Sequence, residues 1–175
     1  MTSVLKVDNI KNSSGTDAIS IDSSGLVAPK IPALSVEATD IDQSVSAGTS
    51  TVVDFETVIL DTLSGWDATN NRYTPTVAGY YAFGGAVRGN FSSIQRYINT
   101  QVRKNGVNSP LVGQIQFNSN ADFLSNGSFP IPSGLVHMNG SSDYIDVLVA
   151  TEEACTISEN ATSPTHFYMF LVHAT

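Results

Sequence analysis

Short runs in which apolar and polar residues alternate recur along the chain and end at glycine, asparagine, serine or proline. Almost no stretch repeats apolar residues at the three- and four-residue spacing of an amphipathic helix. Alternation with a period of two indicates strands that bury one face. The sequence therefore predicts an all-β fold, a sandwich or barrel of short strands.

The alternation separates clear strands from weaker ones. Asn105-Gly106 predicts a tight hairpin, because both residues tolerate positive φ. The clear strands are predicted at residues 51–60, 79–88, 97–104, 134–138, 144–150 and 166–173, and the weaker ones at 4–10, 17–22, 34–38 and 114–117.

Length and charge limit the classes of function. The 175 residues suffice for one domain with a short appendage. The chain carries 16 acidic and 8 basic residues, which give a formal net charge of −8. Nucleic acids and anionic membrane surfaces attract basic proteins, so neither is an expected partner.

The chain is expected to be stabilised by burial alone and to remain outside membranes. It has one cysteine, which excludes an internal disulfide. Residues 1–6 lack the apolar region of a secretory signal, and the apolar run at 167–172 is far shorter than the ~20 residues of a membrane span. We therefore expect a soluble protein without membrane insertion.

The leading residues differ from the rest of the chain. Two short alternating segments are each followed by a Ser-Ser-Gly turn, at 13–15 and 23–25. An isolated hairpin is marginal in water, so these strands need a partner. We predict an attachment segment and proline-containing linker at 1–32 and a main domain at 33–175. The predicted attachment residues are Leu5, Val7, Ile10, Ile19 and Ile21.

Two predicted strands are apolar on both faces, whereas a strand of an ordinary sandwich has one polar face. The strand at 166–173 is bulky on both sides, and the strand at 79–88 has one bulky and one small face. The second faces are predicted to meet neighbouring subunits; a covering element of the same chain is the alternative. These interface residues are Ala82, Gly84, Ala86, Tyr168, Phe170 and Val172.

A run of aromatic, proline and glycine residues between positions 66 and 83 forms a recognisable motif. It contains an aromatic-Asp pair, a Tyr-Thr-Pro segment and a Gly-x-Tyr-x-Phe strand, with a phenylalanine-bearing strand before it. Residues 33–175 thereby resemble the C1q/TNF-like family. The residues that carry the resemblance are Phe55, Trp66, Asp67, Tyr73, Pro75, Gly79, Tyr81, Phe83, Phe167 and Leu171.

That resemblance implies a jelly-roll sandwich of about ten strands that assembles as a homotrimer, with the last strand near the three-fold axis. A second, shorter resemblance concerns the leading segment, from 5–10 through 23–27. It is similar to the N-terminal part of structural and tail-fibre proteins of tailed bacteriophages. Together the two resemblances imply a virion protein whose N-terminus docks to the particle.

Side chains capable of catalysis do not form a recognised pattern. His137, His166 and His173 lack a metal-ligand spacing, and nothing local activates Cys155. The carboxylate pairs that invite a hydrolase interpretation are better read as solubilising residues of loops. We therefore predict a protein that is not an enzyme and has no cofactor. These pairs are Asp40/Asp42, Asp143/Asp146 and Glu152/Glu153.

Calcium is the one ligand that the family resemblance suggests. Some relatives bind it near the trimer apex, and the loop at 67–71 or Asp143 supplies oxygen ligands of the right kind. No Asp-x-Asp-x-Asn-Gly loop occurs in this chain, so the pattern for calcium is weak.

These observations favour a trimeric fibre, tip or spike of a phage virion whose head contacts a glycan or protein of the host surface. Recognition is predicted in the loops at 89–94, 118–126 and 152–164. The alternative is a trimeric decoration protein that stabilises the capsid shell, which the short chain without a shaft favours. A secreted lectin or cytokine-like ligand is a third, disfavoured class. The sequence names neither the receptor, the host nor the virion partner.

Overall fold

The chain divides into two compact units, Met1–Ile31 and Pro32–Thr175. Within the described residues all regular structure is β. The computed structural model describes residues 7–11, 13–15, 17–21, 23–39, 42–91, 95–106, 111–123, 127–157 and 164–175.

The first unit is a three-stranded antiparallel sheet. Strand β2 (Asp17–Ile21) lies between β1 (Asn9–Lys11) and β3 (Val27–Pro29). Gly15 and Gly25 lie in the connecting segments with φ of 84° and 81°, a conformation that a residue with a side chain rarely adopts. These glycines therefore allow the chain to reverse after each strand.

The third strand of this unit corrects the sequence interpretation. Pro29 was expected in a linker, but it ends β3 and lies opposite Ile19 of β2. A proline is tolerated there because β3 is an edge strand, where a missing N–H costs no ladder bond. Within the described residues the first strand begins at Asn9; the predicted strand at 4–10 starts among residues 1–6, which lie outside the described part of the chain.

The second unit contains the remaining strands. In chain order they are β4 (Ala33–Ala38), β5 (Gln43–Val45), β6 (Thr51–Val52), β7 (Thr57–Asp61), β8 (Trp66–Asp67), β9 (Arg72–Tyr73), β10 (Ala78–Asn90), β11 (Gln95–Lys104), β12 (Leu111–Phe123), β13 (Gly127–Asn139), β14 (Ile145–Thr151), β15 (Cys155–Ile157) and β16 (Thr165–Ala174).

These strands form two antiparallel sheets that enclose one core. The first sheet is seven-stranded, in the order β5-β15-β10-β16-β4-β7, with β13 paired to β10. The second is six-stranded, in the order β12-β11-β14-β9-β8, with β6 paired to β14. Tyr81 and Phe167 from the first sheet, together with Ile98 and Val147 from the second, lie in the same buried cluster. The predicted all-β sandwich is therefore confirmed.

Several predicted strands differ from the observed ones in extent. The predicted strand 51–60 is two strands, β6 and β7, because the backbone N–H groups of Asp54 and Phe55 donate to the side chains of Gln43 and Asn71 instead of to a neighbouring strand. Strand β13 begins at Gly127 rather than at residue 134. Its Pro130 and Pro132 argue against a central strand, but β13 is paired only to β10 and is an edge strand.

The family-motif residues occupy the core and its border. Trp66 packs against the core, with its ring edge-on to Phe55 at a centroid distance of 6.1 Å. Leu171 is half-buried and packs on the same cluster, whereas Asp67 ends the short strand β8 and is half-buried. The fully or nearly buried motif residues are Phe55, Tyr73, Pro75, Gly79, Tyr81, Phe83 and Phe167.

Two buried tyrosines differ in how their hydroxyls are satisfied. The hydroxyl of Tyr81 donates a hydrogen bond of 2.8 Å to the carbonyl of Val77. The hydroxyl of Tyr73 is buried without a hydrogen-bond partner in the described part of the chain. Burial raises the pKa of both phenols, that of Tyr81 to about 12. A buried polar group without a partner costs stability, so the two hydroxyls have opposite effects.

We expect Tyr73→Phe to leave the free energy of unfolding unchanged or to raise it, because it removes only an unsatisfied hydroxyl. The matched variant Tyr81→Phe is expected to lower it by about 1 kcal/mol, because it removes a made hydrogen bond. Denaturant unfolding at one protein concentration measures both. Equal losses in the two variants would contradict this account.

Candidate functional site

The C-terminal strand β16 presents different apolar side chains to its two sides. Phe167 and Met169 point into the core and are almost completely buried. Tyr168 and Phe170 point outward and remain 40% and 44% exposed. Their rings stack at a centroid distance of 6.4 Å with an interplanar angle of 19°. Two adjacent aromatic rings thus stand on the outward face of the first sheet.

Small residues of β10 lie beside these rings. Ala82 is opposite Phe170, and Gly84 is opposite Tyr168. A Cβ atom at Gly84 would come within 2.6 Å of the Tyr168 hydroxyl oxygen, so Tyr168 lies over this glycine. Gly84 is consequently buried within a single chain. Its small size therefore provides space for Tyr168, and the predicted place of Gly84 at a subunit interface stays a prediction.

A β-bulge changes the direction of the side chains near the end of β16. Tyr81 pairs with Leu171, but the preceding residue Tyr80 pairs with His173, so Val172 is the extra residue. Leu171 packs against the core, while Val172 is 57% exposed. Alternation along β16 already places Val172 on the outward side with the aromatic pair, and the bulge sets His173 instead of Val172 opposite Tyr80.

Two leucines from neighbouring strands extend this apolar surface. Leu135 of β13 lies opposite Ala82 and is 62% exposed. Leu60 of the edge strand β7 lies opposite Ser35 of β4, which in turn lies opposite Tyr168. We define the assembly face as the exposed apolar side chains Leu60, Leu135, Tyr168, Phe170 and Val172.

Polar groups border the assembly face at both ends. At one end Tyr80 lies between His173 and His137, and its ring centroid is 5.1 Å from that of His137. At the other end Ala86 lies opposite His166, which lies opposite Glu37. An apolar centre with a polar border is the arrangement found in protein interfaces, and exposed contiguous apolar patches commonly mark them.

The sequence placed Tyr168, Phe170, Val172, Ala82 and Ala86 on second faces, and the structure brings them to one side of the first sheet. Their role at a subunit interface remains a prediction. Leu60 and Leu135 were missed, although Leu135 alternates with buried Val136 and Met138 in the sequence. Alternation marks such a residue as outward-facing, but only strand order shows that it lies next to Ala82.

The carboxylate pair Asp143/Asp146 is engaged by hydrogen bonds and cations. Asp146 accepts two hydrogen bonds from Arg103, of 2.8 Å from Nε and 2.7 Å from a terminal nitrogen. This hydrogen bond to the Asp146 carboxylate raises the pKa of Arg103. Asp143 contacts Nζ of Lys104 at 2.6 Å and accepts hydrogen bonds from the Asn105 side chain and the Asn139 backbone. Both residues thus join strands and loops.

The two loops considered for calcium do not fit that ion. Asp67 accepts hydrogen bonds from the backbone N–H groups of Thr69 and Asn70 and from the Asn70 side chain. The Asn70 side-chain bond is the main reason that the pKa of Asp67 is lowered, and Arg72 adds an ion pair of 3.2 Å. Asp143 is likewise surrounded by donors. Carboxylates already committed to N–H groups and cations are poor ligands for a hard cation.

Histidine and cysteine are also placed apart. Within the described residues, no group of three or more histidine, cysteine, aspartate or glutamate side chains is arranged to hold a metal ion. Cys155 is a buried free thiol whose pKa is raised by burial, although a hydrogen bond with Thr151 opposes that rise. A raised pKa disfavours the reactive thiolate.

The attachment residues lie in the first unit as far as they are described. Leu5 lies outside the described residues, while Val7 and Ile10 are exposed. Ile19 and Ile21 of β2 are half-buried, and Ile19 pairs with Ile10. Of the predicted recognition loops, residues 92–94, 124–126 and 158–163 lie outside the described chain. Both assignments remain predictions.

The fold was compared with known proteins. No family model matches the sequence, and no curated protein matches it either. The globular domain of zebrafish complement 1qA is 14% identical, with a TM-score of 0.56 over 82% of this chain and 99% of that chain. Murine APRIL at pH 8.0 is 14% identical, with a TM-score of 0.58 over 81% and 99%. The Eiger TNF of S. frugiperda is 10% identical, with a TM-score of 0.61 over 83% and 94%.

At these identities the comparisons establish the fold alone. The second unit is a C1q/TNF-like jelly roll, as the motif residues implied. Among the described residues, no helix has the length and apolar character needed to cross a membrane.

The Asp143 network predicts a dependence of stability on pH. Burial works to raise the pKa of Asp143, but hydrogen bonds from Asn105 and Lys104 hold it below its usual value of 3.8. A carboxylate with a lowered pKa stabilises the fold above that usual value, and the stabilisation is lost as the pH falls through the folded-state pKa. The contribution is therefore present at neutral pH and disappears in acid.

We expect Asp143→Asn to reduce the free energy of unfolding at pH 7 by about 1.5–3 kcal/mol, the usual worth of hydrogen bonds to a charged group. The difference from the wild type should shrink as the pH falls below about 4. Denaturant unfolding between pH 3 and pH 7 measures it. A difference that stays constant over this range would show that the ionised carboxylate is not responsible.

Proposed function

We propose that the chain forms a homotrimer through the assembly face and acts as a non-enzymatic structural protein of a phage virion. The observation that carries the proposal is the exposed aromatic pair Tyr168 and Phe170 on the outward side of β16. Fully burying one large apolar side chain contributes about 1.5–3 kcal/mol, so covering several half-exposed ones favours association. The family resemblance implies that the C-terminal strand lies near the three-fold axis of the trimer.

The shape of the face suits repeated copies of one chain. Leu60 lies on the edge strand of the sheet, while Phe170 and Leu135 lie further across it. A closed ring requires one surface of each copy to fit a different surface of the next. Polar groups border the assembly face, among them Glu37 and His166 at one end. Their contacts fix how one copy is aligned with the next.

The role in the virion is inferred from the two-unit organisation. The unit Met1–Ile31 is separate from the jelly roll, and its exposed Val7 and Ile10 are suited to contact another protein. The resemblance of this segment to phage tail-fibre proteins supports docking to the particle. The trimeric jelly-roll head of a fibre, tip or spike then faces the host surface. Three identical heads increase the avidity of each weak contact.

Assembly through this face predicts that Phe170→Asp converts the trimer to a monomer, which light scattering detects as a threefold lower mass. The aspartate would bury an unpaired charge at the interface. Gln114→Asp places the same charge at an exposed position of β12 in the other sheet and should retain the trimer. A monomeric wild type, or a trimeric Phe170→Asp, would overturn the proposal.

The virion role predicts that an antibody against residues 32–175 labels particles of the source phage in immunogold electron microscopy. Label on the tail or its fibres is the expected result. Label spread over the head would replace the fibre assignment with capsid decoration, and unlabelled particles would contradict a virion role. As a control, an antibody to an unrelated protein of the host cell should leave the particles unlabelled.

A further inference from the structure

The outward face of the second sheet has a different chemistry from the assembly face. On β11 the side chains of Ile98, Thr100 and Val102 are buried in the core, so the intervening residues point outward. On β12 the outward positions are exposed amides. The outward residues are Tyr97, Asn99 and Gln101 on β11, and Gln114, Gln116 and Asn118 on β12.

The register of the two strands places these residues side by side. Tyr97 pairs with Asn118, Asn99 with Gln116, and Gln101 with Gln114. The Gln116 side chain donates a hydrogen bond of 2.8 Å to the Asn118 side chain. We call these six residues the amide face. Each amide offers two N–H donors and a carbonyl acceptor, which is the pairing that hydroxyl groups require.

Asn99 has a buried acceptor on this face. Its side chain is only 9% exposed, and its Oδ1 atom has no hydrogen-bond partner among the described residues. A buried acceptor without a partner costs stability, so a donor that reached it would be bound favourably. Gln116 of β12 lies opposite Asn99, and Gln101 is the next outward residue on β11, so two long amide side chains stand beside Asn99. The unsatisfied oxygen therefore points to a ligand with hydroxyl donors.

The charges beside the amide face neutralise each other. Arg103 follows Gln101 outward along β11, but both of its bonding nitrogens are held by Asp146. Among the side chains that the structure describes on this face, none is a free cation that would bind a sulfate or carboxylate. It also lacks the several large apolar anchors that protein interfaces use. A neutral, polyhydroxylated ligand fits both observations.

We propose that the amide face binds a neutral glycan chain along strands β11 and β12. Glycan hydroxyls exchange hydrogen bonds with Gln101, Gln114 and Gln116, one hydroxyl donates to Oδ1 of Asn99, and a sugar ring packs on Tyr97. This assignment deepens the proposed function, because it gives the head a ligand class on the sheet opposite the assembly face. It also moves recognition from the loops to a sheet face.

The test is binding of the full-length chain to an array of immobilised neutral and acidic glycans. The wild type is expected to bind neutral glycans. The variant Gln101→Ala/Gln116→Ala should bind at least about tenfold more weakly, since each lost amide removes hydrogen bonds to the ligand. The control Ser133→Ala removes an exposed polar side chain of the first sheet, outside the predicted recognition loops, and should bind like the wild type.

Absence of neutral-glycan binding, binding to acidic glycans only, or equal binding by the double variant would each overturn the glycan assignment. Light scattering on the same samples separates this failure from failure of the proposed function. A trimer without glycan binding removes only the amide-face assignment. Glycan binding by a chain that is monomeric removes the trimer but leaves the amide face.

Discussion

The pairing of β16 with β10 is the interaction on which the rest of the head depends. Strand β16 is apolar on both sides, so hydrophobicity alone does not decide which side enters the core. A slip of one residue would exchange Phe167 for Tyr168. A slip that moved Ala86 to the position of Gly85 is opposed, because a Cβ atom there would collide with the carbonyl oxygen of His166. Tyr168, seated over Gly84, fixes the same register from the outside.

Acidic residues outnumber basic ones in this chain. Several of them fix loops by accepting hydrogen bonds and do not act as a catalytic pair. The Asp61 carboxylate accepts hydrogen bonds from the backbone N–H groups of Gly65 and Trp66, at 3.1 and 2.8 Å. Asp67 and Asp143 satisfy other turns in the same way. Backbone donors that leave a strand need such acceptors. Part of the negative charge of the chain therefore has a structural purpose within the head.

The two sheets of the head face outward with different chemistries. The first presents aromatic and aliphatic side chains, of which Phe170 and Leu135 are the most prominent. The second presents amides around the buried oxygen of Asn99. Apolar surface favours association with a complementary protein surface, whereas amides exchange hydrogen bonds with hydroxyls. In the two proposals, assembly and recognition use opposite sheets, so forming the proposed trimer would leave the amide face accessible.

The sequence by itself determined the all-β class, the jelly-roll resemblance and most of the core, because alternation with a period of two records which side chains point inward. It also marked both sides of β16 as apolar. Only the tertiary structure decided how the strands are ordered and paired, and this pairing set Leu135 beside Ala82 and Gln116 beside Asn99. Leu135 and Ala82 come from segments far apart in the chain, and Gln116 and Asn99 come from two separately predicted strands. Alternation carries no information about cross-strand partners. The prolines of β13 show the same limit, since a proline is tolerated at an edge strand and only strand order reveals an edge.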